Sequence, residues 1–173
     1  MEFLEHTLIW DWCRGASVAL NGDDPDSRGP ITLADDPTLT RRARELYADG
    51  QRSGREPAVA AAAVRALGMW DECLVWVTAW GVWPSGEDWP RFYAWRGAHG
   101  ERRSLDATPG HLFRGEELTE LEGMLTQVME NGWDATVLSS RDGMATDRRL
   151  VISHDEWIEV RSREPVEFTL AAV

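Results

Sequence analysis

The sequence predicts an α/β or α+β fold, in which one mixed or antiparallel sheet of three to five strands packs against helices. Helical patterns dominate residues 1–70, whereas the apolar run at 73–83 has the composition of a central strand covered on both sides. Two further strand-like segments, 135–140 and 148–153, flank the pair Asp142–Gly143, which favours a hairpin turn. Strand direction cannot be read from these patterns, so both fold classes stay open.

Length and composition predict a single globular domain over residues 1–173, mainly helical over 1–70 and mixed α and β over 71–173. The chain has 173 residues, of which 43% are hydrophobic and 28% are charged. Glu2 and Glu5 stand where an export signal would carry Lys or Arg. No stretch is long and apolar enough to span a bilayer. We therefore expect a cytoplasmic protein without membrane association.

Three helices are predicted in the N-terminal third. The first covers residues 2–20, and a polar loop at 21–30 follows it. The second begins at Asp36–Pro37, a capping residue followed by proline, and runs to about residue 48. The third opens at Glu56–Pro57 and is rich in alanine, which has the highest helix propensity.

The segment LVWVTAWGVWPSGEDWPRFYAW, residues 74–95, contains five tryptophans. Strand alternation places Trp76 and Trp80 on one face of an apolar strand, and we expect both in the core. A helix is the alternative for 73–83, because Trp76, Trp80 and Trp83 also have helical spacing. Pro, Gly and charged residues flank three of the rings, which are therefore predicted to lie at a protein interface: Trp83, Trp89 and Trp95.

The second half of the chain alternates between helices and strands. A short helix is predicted at 88–97, followed by a long irregular connection at 98–115. Residues 116–131 form the clearest helix, since an apolar stripe runs along it and Asn131–Gly132 supplies a stop. We expect WIEVRS, residues 157–162, to continue the strand at 148–153, and VEFTLAAV, residues 166–173, to add an edge strand.

The net charge of −12 disfavours nucleic acid as a partner and favours a basic protein. Residues 104–134 contain seven acidic residues and one arginine. Together with the three tryptophans named above, four glutamates of this region form the predicted partner-binding surface: Glu116, Glu117, Glu120 and Glu122. A solvated helix face would show the same charge pattern.

The leading functional hypothesis is an acidic cytoplasmic binding protein without enzymatic activity or cofactor. Its most concrete form is an immunity-type inhibitor of a basic bacterial toxin such as a nuclease. Small size, high negative charge and the lack of a catalytic motif favour this class. A second alternative is a subunit of a larger assembly, in which the surplus tryptophans bury an interface.

A metal-assisted hydrolase is the first alternative. The segment SHDEW contains His154 and Glu156, which would share one face of a strand, and His111 could approach them from the long connection. The spacing of the zinc motif HExxH is absent, so this site depends on distant residues meeting in the fold. Cys13 and Cys73 lie among apolar neighbours and are predicted to be buried thiols.

Overall fold

The computed structural model describes residues 1–21, 32–33, 38–45, 54–81, 89–166 and 168. The helices of this part of the chain are α1 (His6–Gly15), α2 (Glu56–Leu67), α3 (Trp89–Ala98) and α4 (Leu118–Glu130). The strands are β1 (Glu2–Leu4), β2 (Leu20–Asn21), β3 (Thr32–Leu33), β4 (Thr40–Glu45), β5 (Glu72–Ala79), β6 (Gly110–Arg114), β7 (Asp134–Arg141), β8 (Met144–Ser153) and β9 (Trp157–Ser162).

One antiparallel sheet organises the protein. Its strand order is β1-β6-β5-β7-β8-β9-β4, and every neighbouring pair runs antiparallel. Strands β2 and β3 pair separately as a two-stranded sheet. The fold is therefore α+β with an antiparallel sheet, which is one of the two fold classes that the sequence predicts. The predicted size of three to five strands is wrong, because the described residues alone place seven strands in the sheet.

Strand β5 is an inner strand of the sheet, between β6 and β7, and is buried on both faces over Cys73–Val77. Val75 and Val77 face a large cluster that includes residues from α2 and α4. Leu74 and Trp76 face a smaller cluster formed with α1. The prediction of a central strand covered on both sides is confirmed, because the alternating residues of β5 fill two different cores.

The helices α2, α3 and α4 lie where the sequence predicts them. In α4 the stripe Leu121, Leu125 and Val128 is fully buried. Helix α2 ends at Leu67, and the next residue, Gly68, has a φ of 75° that suits glycine. None of the helices in the described ranges combines the length and the apolar character needed to cross a membrane.

The helical N-terminal third is not confirmed. The chain begins with a strand, β1, and α1 covers only part of the predicted helix at 2–20. The helix predicted at 36–48 is wrong, since residues 40–45 form β4. Six positions of β4 pair with β9, from Thr40 opposite Ser162 to Glu45 opposite Trp157. The pairing of β4 with β9 outweighs the local sequence pattern, in which the apolar residues have helical spacing.

The connection predicted as irregular at 98–115 contains an inner strand of the sheet. Strand β6 pairs with β1 on one side and with β5 on the other. Its apolar run, His111 to Phe113, is too short to show strand periodicity. His111 therefore lies within the sheet and not in a loop above it.

The C-terminal strands are joined by tight turns. Asp142 and Gly143 connect β7 to β8 with φ angles of 53° and 75°, which confirms the predicted hairpin. The chain reverses again at 154–156, where Glu156 has a φ of 64°. WIEVRS thus forms a new strand, β9, antiparallel to β8, and does not continue it.

Several sequence predictions fall outside the described residues. They concern the loop at 22–30, the helix start at Asp36–Pro37, Trp83, and most of the edge strand predicted at 166–173. Of that last segment, Val166 and Phe168 are described; both are buried and neither belongs to a strand.

We predict opposite effects for alanine at two glycines. A Cβ at Gly110 would lie 2.7 Å from Cγ1 of Ile9 and 2.9 Å from Cβ of Leu4, so Gly110→Ala should destabilise the protein by about 1–3 kcal/mol. A Cβ at Gly123 on α4 meets nothing within 4 Å, so Gly123→Ala should stabilise it by up to about 1 kcal/mol. Urea unfolding measures both, and a Gly110→Ala variant as stable as the wild type would contradict the packing of α1 on β6.

Candidate functional site

The start of α4 carries carboxylates that no cation of the described residues neutralises. Burial of Leu121 and Leu125 directs the opposite side of the helix outward. Glu116, in the turn before the helix, is exposed, and Glu120 and Glu122 are half-buried. Among the described residues, none of these three carboxylates has an ion pair or a hydrogen bond. Together they place negative charge around the start of α4, with Glu120 and Glu122 on opposite flanks of the buried stripe. We call this region the α4 acidic surface.

Glu117 differs from these glutamates because its carboxylate is already engaged. It forms an ion pair with the ammonium group of Met1 and accepts a hydrogen bond of 2.8 Å from the backbone N–H of Arg114. Both contacts lie within the protein and fix the start of α4 against β6. Glu117 therefore supports the α4 acidic surface, and its charge is not available to a partner in the way predicted.

Trp89 and Trp95 are half-buried in an aromatic cluster, where the sequence analysis expected surface rings. Trp89 stacks on Trp133 with centroids 5.3 Å apart, and Trp95 stacks on Phe92 at 5.7 Å. Trp80 joins the same cluster at 5.0 Å from Trp133. Each of the three tryptophans keeps only part of its surface accessible.

Trp76 and Trp80 do not share a face as strand alternation predicts. Trp76 is buried against α1, whereas Trp80 packs against the larger cluster on the other side of the sheet. The pairing of β5 with β7 shifts its register between Val77 and Ala79. A bulge of this kind changes the side to which the following residues point.

His111 is completely buried in the same aromatic cluster. Its ring lies 5.2 Å from Phe3 and 6.1 Å from Phe92. Burial lowers the pKa of His111 to about 3, and the nearby charge of Arg96 adds to this effect. The imidazole is therefore neutral at physiological pH, as expected for a histidine removed from water beside a cation.

Arg96 is a buried cation that none of the sequence patterns above predicts. Its guanidinium carbon lies 5.2 Å from the ring centre of Phe3 and 5.8 Å from that of Phe92. Nη2 donates to Oγ1 of Thr108 at 2.6 Å and to the carbonyl of Arg103 at 3.3 Å. The signal in the sequence is its spacing, four residues after the buried Phe92 on α3.

Glu101 lies close to this cation but bonds to other groups. Its carboxylate forms an ion pair of 2.6 Å with Arg103 and accepts the backbone N–H groups of Arg102 and Arg103. Hydrogen bonding with Arg103 lowers the pKa of Glu101 to about 2. Burial lowers the pKa of Arg96, and the charge of Glu101 opposes that effect from a distance.

The three residues of the predicted metal site do not lie together. His111 is on β6, and His154 and Glu156 are in the turn that follows β8, three strands away in the sheet. Strand spacing alone separates β6 from β8 by about 14 Å. Within the described ranges, no group of three His, Cys, Asp or Glu side chains could hold a metal ion.

His154 instead forms a pair with Asp134. Its Nδ1 lies 2.9 Å from both carboxylate oxygens, and its backbone N–H donates to Oδ1 at 2.7 Å. Asp155 approaches Nε2 at 3.5 Å. Hydrogen bonding to Asp134 raises the pKa of His154 above its ordinary value of 6.5. This pair closes the β8–β9 turn onto the start of β7.

Both cysteines are free and buried, as predicted. They lie on opposite faces of the sheet, Cys13 with α1 and Cys73 with α2 and α4. Burial raises the pKa of Cys13 to about 12 and raises that of Cys73 as well. Protonated thiols in apolar surroundings are poor nucleophiles.

Comparison of the chain with protein families, with curated proteins and with solved structures gives no match. Function must therefore be inferred from three features of the structure: the α4 acidic surface, the buried Arg96 and His111, and the exposed His154–Asp134 pair. Of these, the α4 acidic surface presents the most charge to a macromolecule.

We predict that the His154–Asp134 pair makes stability depend on pH. Because the pKa of His154 is raised on folding, its contribution is fully present below about pH 6.5 and is lost as the pH rises through the raised value. The difference in unfolding free energy between the wild type and His154→Gln should be larger at about pH 5.5 than at about pH 8.5. Urea unfolding of both proteins gives this difference.

Asp134→Asn provides the control. In that background the effect of His154→Gln should depend much less on pH, since the charged partner is gone. A difference that is equal at both pH values in the wild-type background would show that the pair does not favour protonated His154.

Proposed function

We propose that this chain is an acidic binding protein without enzymatic activity, and that its α4 acidic surface binds a basic protein. The observation that supports this proposal is the set of carboxylates at Glu116, Glu120 and Glu122, which have no ion pair within the part of the chain that the structure describes. The net charge of −12 adds a long-range field that attracts cationic partners. Arginine and lysine side chains of the partner would neutralise the three glutamates.

Local helix energetics do not fully account for these glutamates. Glu120 lies in the first turn of α4, where the helix dipole stabilises an acid. Glu122 lies farther along the helix, where that effect fades. Glu116 lies in the turn before α4 and carries the same charge as Glu120 and Glu122, so the three carboxylates repel one another. A partner that supplies cations would remove this repulsion.

Leu118 provides an apolar contact within the same surface. It is a large hydrophobic side chain that is 48% exposed at the first residue of α4. Protein interfaces commonly combine an apolar centre with a charged rim. Leu118 shares the start of α4 with Glu116 and Glu120 and lies one turn before Glu122. This mixture of an apolar side chain and acids suits a protein better than a free polycation.

The specific form of the proposal is an immunity-type inhibitor in the bacterial cytoplasm, directed against a basic toxin such as a nuclease. Nucleases bind polyanions through basic clefts, and an acidic surface can occupy such a cleft while phosphate backbones are repelled. Glu117 and the half-buried Trp89 and Trp95 would support the contact from within. Trp83, which belonged to the predicted surface, lies outside the described residues.

An alternative is that the α4 acidic surface joins this chain to other subunits of a larger assembly. Leu118 would then be buried against a neighbouring chain. Light scattering of the purified protein distinguishes the two forms of the proposal, since a monomer at micromolar concentration fits the inhibitor and a stable oligomer fits the assembly.

We predict that reversing the charge of Glu116, Glu120 and Glu122 to lysine weakens binding of an arginine-rich peptide by roughly tenfold or more. The peptide serves as a probe for a basic partner. Isothermal titration calorimetry gives the affinity, and amide chemical shifts of the ¹⁵N-labelled protein should change mainly over residues 116–122.

A second triple reversal controls for net charge. Asp11, Asp106 and Glu164 are exposed acids outside α4, and their change to lysine alters the total charge by the same amount. Affinity should stay within about threefold of the wild type, because the local contacts are intact. Equal losses in the two variants would mean that only overall charge matters, and the surface assignment would fail.

A further inference from the structure

Methionine side chains lie in two contrasting environments in this protein. The sequence contains five methionines. Met124 and Met129 belong to the larger core cluster and are 0% and 5% exposed. Met69 and Met144 are 72% and 55% exposed, although methionine is among the residues most often buried. Their thioethers are therefore open to reagents dissolved in water, whereas the two on α4 are shielded.

Met69 and Met144 lie at the same end of the sheet. Met69 is in the connection between α2 and β5, and Met144 is the first residue of β8. The backbone N–H of Asp142 donates to Oδ2 of Asp71 at 2.7 Å, which ties that connection to the β7–β8 turn. Arg141 pairs with Met144 across the hairpin, and its side chain reaches Met69. We call Met69 and Met144 the exposed methionine pair.

A hydrogen-bond donor lies next to each exposed sulfur. Nη1 of Arg141 lies 3.9 Å from Sδ of Met69, and Oγ of Ser17 lies 4.0 Å from Sδ of Met144. A thioether sulfur is only a weak acceptor. A sulfoxide carries a polar oxygen on the sulfur, which accepts hydrogen bonds better. Oxidation would therefore give both donors a stronger partner than they have in the thioether form.

We propose that the exposed methionine pair is a site of reversible oxidation by peroxides. The sulfur lone pair attacks one oxygen of hydrogen peroxide, so an S–O bond forms and the O–O bond breaks. The other oxygen leaves as water after proton transfer. Sulfur loses two electrons and the peroxide gains them. The step uses none of the glutamates of α4, so the site does not depend on the proposed binding function.

The core methionines are protected from the same reaction. A sulfoxide at Met124 would place a polar oxygen among apolar side chains, which disrupts packing. Met124 can react only when the protein opens, and the unfolded fraction of a stable protein is roughly 10⁻³ or less. We therefore expect the exposed methionine pair to oxidise roughly a hundredfold faster than Met124, or more.

The test is peptide mapping by mass spectrometry after timed treatment of the folded protein with hydrogen peroxide. Met69 and Met144 should each gain one oxygen at the fast rate, and the half-buried Met1 should react more slowly. In concentrated urea, Met124 should react as fast as Met69. Equal rates at Met69 and Met124 in the folded protein would overturn the proposal.

Reversibility has its own measurement. Methionine sulfoxide reductases with dithiothreitol should return both side chains to thioethers, releasing each oxygen as water while the dithiol becomes a disulfide. The intact mass should then equal that of the untreated protein. Sulfoxides at Met69 and Met144 that resist the reductases in the folded protein would overturn the claim that the site is reversible.

Matched double variants locate the reaction. The double variant Met69→Leu/Met144→Leu should lose the fast uptake of oxygen. The double variant Met124→Leu/Met129→Leu should keep it, and it should fold, because Met and Leu have similar volumes. Circular dichroism checks the folding of both. Fast uptake that persists without Met69 and Met144 would assign the reaction to another residue.

Thermal unfolding tests the two donors. The oxidised wild type should have a Tm within about 2 °C of the reduced protein, or above it. With Ser17→Ala and Arg141→Ala combined, oxidation should lower Tm by about 2–6 °C more than it does in the wild type, because the new oxygens lack partners. An equal effect of oxidation on Tm with and without the donors would contradict their role.

Discussion

A central strand that is apolar on both faces must be covered twice, and this requirement on β5 determines the layout of the protein. Leu74 and Trp76 require a layer on one side, which α1 provides. Val75 and Val77 require another, which α2 and α4 provide. Because α4 uses one side to cover the sheet, its glutamates are left on the flanks and the outer side of the helix. The α4 acidic surface is thus a consequence of how β5 is buried.

The same arrangement creates a polar centre inside the larger core. Arg96 comes from α3, His111 from β6 and Phe3 from the distant strand β1, so three different elements meet there. A buried guanidinium is costly unless its charge and donors are matched. The rings of Phe3 and Phe92 and the hydroxyl of Thr108 match part of the charge and donors of Arg96, and the negative charge of Glu101 contributes from farther away. The part of the Arg96 guanidinium that these groups do not match distinguishes this region from an ordinary hydrophobic core.

Local signals predicted the elements that depend on local interactions. The helices α2 and α4 and the turn at Asp142–Gly143 follow from propensity, periodicity and turn chemistry within a few residues. Strand β4 was missed because its stability comes from pairing with β9, more than a hundred residues away. Only part of the aromatic cluster was predicted. The tryptophans are conspicuous in the sequence, but no local pattern shows that Phe3, Arg96 and His111 come together.

The central claim is that local charge on α4 drives binding of a basic partner. Its most direct test is the salt dependence of affinity for an arginine-rich peptide, measured by calorimetry for the wild type and for the protein with Glu116, Glu120 and Glu122 changed to lysine. Screening weakens exposed ion pairs as salt rises. The wild type should lose affinity steeply with salt, and the variant should show a much flatter dependence. Equal slopes for the two proteins would contradict the claim.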